Sequence, residues 1–400
     1  VRRTPIELAA IASAAVPGLS PVAASYEPDD AVDFDSALLI DGDRKRWRVR
    51  APKHVEASTR LETELLVLRA FTPAIRAELP FLLPTVAGTV RIGELTTFVY
   101  SHMAGRVTGL DALASGGTAT AKEVGAAMAA VHDLPVGLVQ QADLPSYTAN
   151  EFRQRRLNEL DQAATTGKIP AALLRRWEHA LEDIALWRFN PCVVHGDMHE
   201  DNILFDDGRL TAITGWTDLR IGDPADDFAW LIAMADQSFA DSVQESYSAA
   251  RTGALDRHLL RRAALSAEFA LAQWLVRGVA AGDPAMIAEA EDMLHTLEQD
   301  IAEHGGQPIS VEAPVVPVST PAVTIGSVAD PTPTADSAGD AGEAEDPGTA
   351  QVPGSEPKVA VETIPDEPSD AAATGSADSG DSGHPDNTET TALKTVSHTA

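Results

Sequence analysis

Apolar residues recur at three- and four-residue intervals between Ala57 and Phe71, where Leu61, Leu65 and Leu68 share one face of a helix and charged side chains take the other. Such a stripe needs a surface to pack on, and β-prone runs on both sides of it supply one. Ser36 to Ile40 and Arg46 to Arg50 flank Asp41-Gly42-Asp43, a pattern that predicts a hairpin. Thr85 to Ile92 and Leu95 to Ser101 predict two further strands joined through Gly93-Glu94. Ahead of them, Thr4 as a cap and Pro5 as the first helical residue, with Ile6, Leu8, Ile11 and Val16 behind, predict a short helix ending near Gly18. The order after that helix is strand, strand, helix, strand, strand.

Beyond Gly105 the period lengthens to that of helices: Thr118 to Asp133, Asn150 to Ala164, and Ala171 to Trp187 with Leu173, Trp177, Leu181 and Ile184 at helical spacing. Three short β pieces interrupt them, Val193-Val194, Ile203 to Phe205 and Arg209 to Thr214, the last two flanking the hairpin signal Asp206-Asp207-Gly208. Helices then resume at about Asp226 to Ala235, Ser242 to Arg251, Leu255 to Ala281 and Pro284 to Glu303. A small strand-rich unit therefore precedes a large helical one, and no internal repeat is visible.

The pattern stops at Gly306. From there to Ala400 there is no Phe, Trp or Tyr, and sixteen acidic residues face two lysines. Such a stretch cannot bury enough apolar surface to offset chain entropy, so it is expected to be a disordered acidic tail. With its −14 set aside, residues 1–305 still carry −16 of the whole-chain −30. An acidic folded part repels nucleic-acid phosphates and anionic membranes, which leaves small or cationic ligands as the expected partners. A protein partner for the tail is a further candidate. The single cysteine, Cys192, excludes an intramolecular disulfide and a cysteine zinc site and fits a reducing compartment, so the expected location is cytoplasmic. The two arginines and Ala-rich run between Val1 and Ala24 imitate a secretion signal, but Glu7 and Pro17 interrupt it. No window reaches the ~20 apolar residues of a membrane span.

The chemistry concentrates in VVHGDMHEDNILFDDGRLTAITGWTDLRIGDPADD, from Val193 to Asp227. His195-Gly196-Asp197 follows an apolar strand and Asn202 comes five residues after Asp197, so one turn can bring carboxylate and amide to the same pocket. A carboxylate there can orient a substrate hydroxyl or accept its proton, and an amide oxygen is a hard ligand for Mg²⁺ on nucleotide phosphates.

His195-Gly196-Asp197-Met198-His199, Asn202, the Asp-Gly hairpin and Gly222-Asp223-Pro224 together resemble the catalytic core of the aminoglycoside phosphotransferase family, with macrolide phosphotransferases among the nearer members. The resemblance covers roughly Ile6 to Glu303. It implies an α+β fold of protein-kinase type in two lobes: a nucleotide-binding lobe over residues 1–103 and a helical lobe with the catalytic loop over 104–305, followed by the tail at 306–400. It also implies ATP or GTP as donor, Mg²⁺ as cofactor, Asp197 as the catalytic aspartate and Asn202 as a metal ligand. Asp227 is expected to bind backbone amides and steady Asp197, His195 to support the loop, His199 to be a loop side chain and Trp216 to pack in the core. In the small lobe Arg50 aligns with the family's phosphate-binding lysine, Glu64 is its expected partner, and Ser101 to Met103 take the place of the interlobe hinge. For the glycine-rich phosphate loop only Gly42 is available.

One departure bears on activity. The family carries a second metal carboxylate thirteen residues after the Asn, and here that position is Gly215, with Asp218 as the nearest substitute. The expected function is transfer of a terminal phosphoryl group to a hydroxyl of a macrolide, aminoglycoside or related metabolite. The alternative is a kinase-like pseudoenzyme that binds nucleotide or ligand without turnover, and a third reading makes the folded part a scaffold for whatever the tail recruits.

Overall fold

The computed structural model describes residues 2–232, 237–253, 256–307 and 309. The tail beyond lies outside the described residues, as does the expected helix end at 233–235.

The chain opens with helix α1, Pro5–Ala15, whose Thr4 and Glu7 form a reciprocal capping box. Strands β1 (Pro21–Tyr26), β2 (Phe34–Asp41) and β3 (Arg46–Pro52) follow, then α2 (Val55–Ala70), α3 (Pro73–Glu78), β4 (Val86–Ile92) and β5 (Leu95–Ser101). They form one antiparallel sheet in the order β1-β2-β3-β5-β4. Leu8 and Ala12 of α1 pack on Ala37, Leu39, Val49 and Val99 on one face of this sheet. Ala57 and Leu61 of α2 pack with Phe34, Phe98 and Tyr100 on the other. Because Arg48 pairs with Tyr100 and Arg50 with Phe98 across the β3–β5 ladder, both arginines stand on the α2 face.

The hairpin from β2 to β3 matches the sequence expectation, with Asp41 accepting from the amides of Asp43 and Lys45 in the turn. The first strand was not expected, and it moves the place where the resemblance expects a phosphate loop. The connection between the first two strands is residues 27–33, so Gly42 lies one hairpin too late.

Past β5 the chain enters the larger lobe through β6 (Arg106–Val107) and helices α4 (Leu110–Ser115), α5 (Gly117–His132), α6 (Val136–Gln141), α7 (Ala149–Thr165) and α8 (Ala171–Glu182). Helix α8 stops five residues short of the expected Trp187; Asp183 turns the chain by accepting from the Ala185 amide, and Ile184 is exposed. The strands β7 (Cys192–Val194), β8 (Ile203–Asp206), β9 (Arg209–Ile213) and β10 (Arg220–Gly222) follow, with β8 and β9 a hairpin and β10 antiparallel to β7. Asp207 and Gly208 both take positive φ in the tight turn, the conformation their types favour. Helices α9 (Ala229–Ile232), α10 (Gln237–Ala250), α11 (Leu259–Ala281) and α12 (Pro284–His304) complete the lobe. No described helix is long and apolar enough to cross a membrane.

Candidate functional site

The loop after β7 is held from below by one carboxylate. Asp227, in the 3-10 turn Pro224–Phe228, accepts from the His195 amide at 2.8 Å, the Gly196 amide at 2.8 Å and His132 Nε2 at 3.0 Å. His132 is in turn 2.9 Å from the Tyr247 hydroxyl through Nδ1. Burial works against a charged Asp227, but His132, His195 and the Gly196 amide outweigh it and keep its carboxyl below the usual range. This is the amide-binding role expected of Asp227. His132 and Tyr247 carried no motif signal; the fold brings them in from α5 and α10.

Gly196 turns the loop with φ of 84°, and a Cβ there would lie 2.0 Å from the Arg220 guanidinium and 2.4 Å from the Asp218 carbonyl. His195, fully buried, ties the loop to the end of β9 with Nε2 2.9 Å from the Thr214 carbonyl. Its ring meets Trp216 edge-on at 4.6 Å, and Trp216 is wholly buried against Phe71 and Phe81. Loop support and core packing are thus where the sequence put them.

Asp197 and Asn202 do meet. Asn202 Nδ2 donates to the Asp197 carbonyl at 2.7 Å and to its Oδ2 at 3.2 Å. His199 Nε2 lies 3.0 Å from the same amide nitrogen and 3.7 Å from Asp197 Oδ1, so it belongs to the site. Burial disfavours a charged His199, but Asp197, Asp201 and Glu200 outweigh it and raise its pKa. His199 is the loop side chain expected, and its ring also reaches Asn202 and Asp197.

Gly215 takes φ of 76° and ψ of 40°, a left-handed conformation that glycine adopts without strain. A Cβ at this position would fall 2.5–2.6 Å from Oδ1, Cγ and Nδ2 of Asn202. The amide of Asn202 therefore fills the room that a side chain at 215 would take. Its Oδ1 accepts from the Thr214 hydroxyl at 3.3 Å. Asp218, the expected substitute ligand, ends the 3-10 turn Trp216–Asp218, where its carbonyl accepts from Arg220 at 3.0 Å and its carboxylate helps to keep Arg220 charged. Among the described residues no group of three His, Cys, Asp or Glu side chains is arranged around a cation. Mg²⁺ usually takes one or two carboxylates besides phosphate oxygens and waters. The carboxylate that the resemblance expects beside Asn202 is missing from position 215; Asn202 Nδ2 is committed to Asp197, while its Oδ1 accepts from the Thr214 hydroxyl alone.

On the opposite lobe the expected Arg50–Glu64 pair does not form. Arg50 instead makes a two-pronged pair with Asp29 at 2.8 and 3.0 Å and lies over the Phe34 ring at 4.1 Å. Glu64 accepts from the Tyr100 hydroxyl at 2.9 Å and from the Trp216 amide at 3.4 Å, bridging α2 to the turn after Gly215. The physical reason is competition: a loop carboxylate reaches the guanidinium with fork-on-fork geometry, and Glu64 has two neutral donors of its own. Ser101 closes β5 opposite Trp47 and receives its register from Thr85, whose carbonyl accepts its amide at 2.9 Å. No hydrogen bond to the Met103 peptide group occurs among the described residues, which leaves that group open at the crossing between lobes.

Residues 27–265 match the model of the phosphotransferase enzyme family. The chain is 23% identical over 215 residues to uncharacterized protein YcbJ of Bacillus subtilis strain 168, covering 50% of this chain and 67% of that one. The crystal structure of the apoenzyme of macrolide 2′-phosphotransferase MphH from Brachybacterium faecium superposes with a TM-score of 0.61 at 21% identity, over 72% of this chain and 97% of that one. The GDP complex of wild-type aminoglycoside 2′-phosphotransferase-IIIa gives 0.62 at 18% identity, over 75% and 99%. At these identities the structures establish the two-lobed, kinase-like fold. A family match over more than half of the sequence goes further: the chain belongs to the phosphotransferase enzyme family.

Proposed function

We propose that the protein transfers the terminal phosphoryl group of ATP or GTP to a hydroxyl of a small molecule, a macrolide, an aminoglycoside or a related metabolite. The observation that carries this reading is Asp197: a carboxylate 10% exposed, on a loop whose backbone is fixed by the buried Asp227 and whose rim holds Asn202 and His199. Asp197 orients the acceptor hydroxyl and takes its proton. The hydroxyl oxygen bonds to the γ-phosphorus, the bond to the β–γ bridging oxygen breaks, and the nucleoside diphosphate leaves with that electron pair. Arg50 faces the phosphates from the small lobe, with Glu64 steadying the seam between the lobes and Ser101 to Met103 meeting the base. Asn202 and Asp218, the metal ligands that the resemblance implies, carry no step here. The negative charge of residues 1–305 favours a cationic acceptor.

The test is transfer of labelled γ-phosphate to a panel of hydroxyl-bearing acceptors. Asp197→Asn should lower the rate about a hundredfold or more with the melting temperature unchanged. Undiminished transfer by that variant sinks the mechanism. Gly215 favours a second reading, binding without turnover, whose mark is a thermal shift with nucleotide and no phosphorylated product from any acceptor.

A further inference from the structure

The connection from β1 to β2 reads Glu27-Pro28-Asp29-Asp30-Ala31-Val32-Asp33, four acids and no glycine. In a nucleotide-binding lobe of this topology that connection faces the phosphates, where backbone amides or cations are needed. Here it delivers a carboxylate to the cations of β3. Asp29, with 9% of its side chain exposed, lies 3.2 Å from Arg48 and 2.8 Å from Arg50 and also accepts from the Ser36 hydroxyl. Arg48 further donates to the Pro28 carbonyl at 3.1 Å. The loop is tied to itself in the same place: the Asp30 amide donates to Asp29 Oδ1 at 2.9 Å, and the Val32 amide to Asp30 Oδ1 at 2.8 Å.

We infer that Asp29 is an internal stand-in for a nucleotide phosphate, an autoinhibitory carboxylate seated on Arg48 and Arg50 that a nucleotide must displace to bind. The inference rests on the reading of Arg50 as the phosphate-facing cation. Its geometry is that of an anion already bound: two guanidinium groups, one of them bidentate, and a hydroxyl converge on one carboxylate. A triphosphate carries more charge and more oxygens than one carboxylate, so it can take the seat, at the cost of opening the loop. Apparent nucleotide affinity is then the intrinsic affinity reduced by the fraction of molecules with the loop open. An acidic loop also repels the departing phosphates, which helps diphosphate release.

The test measures binding of a fluorescent ATP analogue, with inorganic tripolyphosphate as competitor, to the full chain and to Asp29→Asn. The variant keeps the size of the side chain and the Ser36 contact but frees the cations of their counter-charge. It should bind the analogue about tenfold more tightly or better, and tripolyphosphate should compete better against the variant. Equal or weaker binding by a cooperatively melting variant overturns the proposal while the nucleotide reading stands. Absence of binding by both proteins at millimolar nucleotide overturns the nucleotide reading, and the proposal with it. Should the variant not fold, hydrogen exchange on the unaltered chain decides: saturating nucleotide should speed exchange of the Asp30 and Val32 amides, and unchanged or slower exchange there overturns the displacement.

Discussion

The two lobes solve the problem of a buried charge in opposite ways. Under the loop after β7, Asp227 spends its oxygens on two amides and a histidine, so the charge serves to fix backbone. In the small lobe, Arg50 is held by a carboxylate of the β1–β2 connection, which on the inference above can leave. The first arrangement is permanent because its partners are backbone atoms and core side chains. The second is exchangeable, since an anion of similar shape can replace the loop carboxylate. Under the proposed function, rigidity belongs with Asp197 and adjustability with the nucleotide.

The largest effect that distinguishes the two sides should come from Asp227→Ala. It strands the amides of His195 and Gly196 and the His132 ring in a dry interior, which should cost about 3–5 kcal/mol and lower the melting temperature by roughly 10 °C. Asp29→Ala should cost less than half as much by calorimetry. A larger loss from Asp29 than from Asp227 would break the contrast.

Next comes Gly215→Asp. The backbone there already has the left-handed conformation that aspartate tolerates better than most residues, but the new Cβ needs the space of the Asn202 amide. If Asn202 swings away, an amide oxygen and a carboxylate become available to one cation. Phosphoryl transfer should then rise about tenfold or more and become steeply dependent on Mg²⁺. Transfer that falls with Asn202 still against Asp197 would mean the chain had adapted its loop to glycine.

What could be read from the sequence divides along the same line. His195, Asp197, Asn202 and the Asp207-Gly208 turn sit within one short block, so local spacing was enough to place them together on one loop and hairpin, and the resemblance that the block carries gave the fold. Trp216 and Asp227 lie in the same block and fall where the family pattern puts them. Strand β1 was invisible because Pro21–Tyr26 is an edge strand of small residues with mostly exposed positions, so it lacks the alternation that marks a half-buried strand. Missing it hid the connection at residues 27–33, and with it Asp29. The partner of Arg50 depends on register across three strands, which no local pattern encodes. Glu64 was placed on the right helix, yet its bond to Tyr100 depends on how that helix packs on the sheet and its bond to Trp216 on how it meets the other lobe. Helix α8 ran short for a nearer reason: Asp183 offers the backbone a turn, and the apolar Ile184 that seemed to continue the stripe points to water.

The effect at Asp29 is the most specific to the exchangeable side. Burial raises the Asp29 carboxyl, but Arg50 and Arg48 outweigh it and bring it down to about 2. An unfolded chain titrates the same group near ~3.9, so between these values the native state holds fewer protons than the unfolded one. The pair's contribution, about 2 kcal/mol, is therefore complete above pH ~4 and fades as the pH falls through about 2. Asp29→Asn should be less stable than the unaltered chain at pH 6 by about that amount in urea unfolding, and the gap should close as pH approaches 2. Saturating nucleotide should narrow the gap at pH 6 as well, because a phosphate in the seat does for Arg48 and Arg50 what Asp29 does in its absence, and stabilises the variant more for binding it more tightly. A gap that ignored nucleotide while persisting at pH 6 would leave Asp29 a purely structural anchor, and both arrangements would then be of the permanent kind.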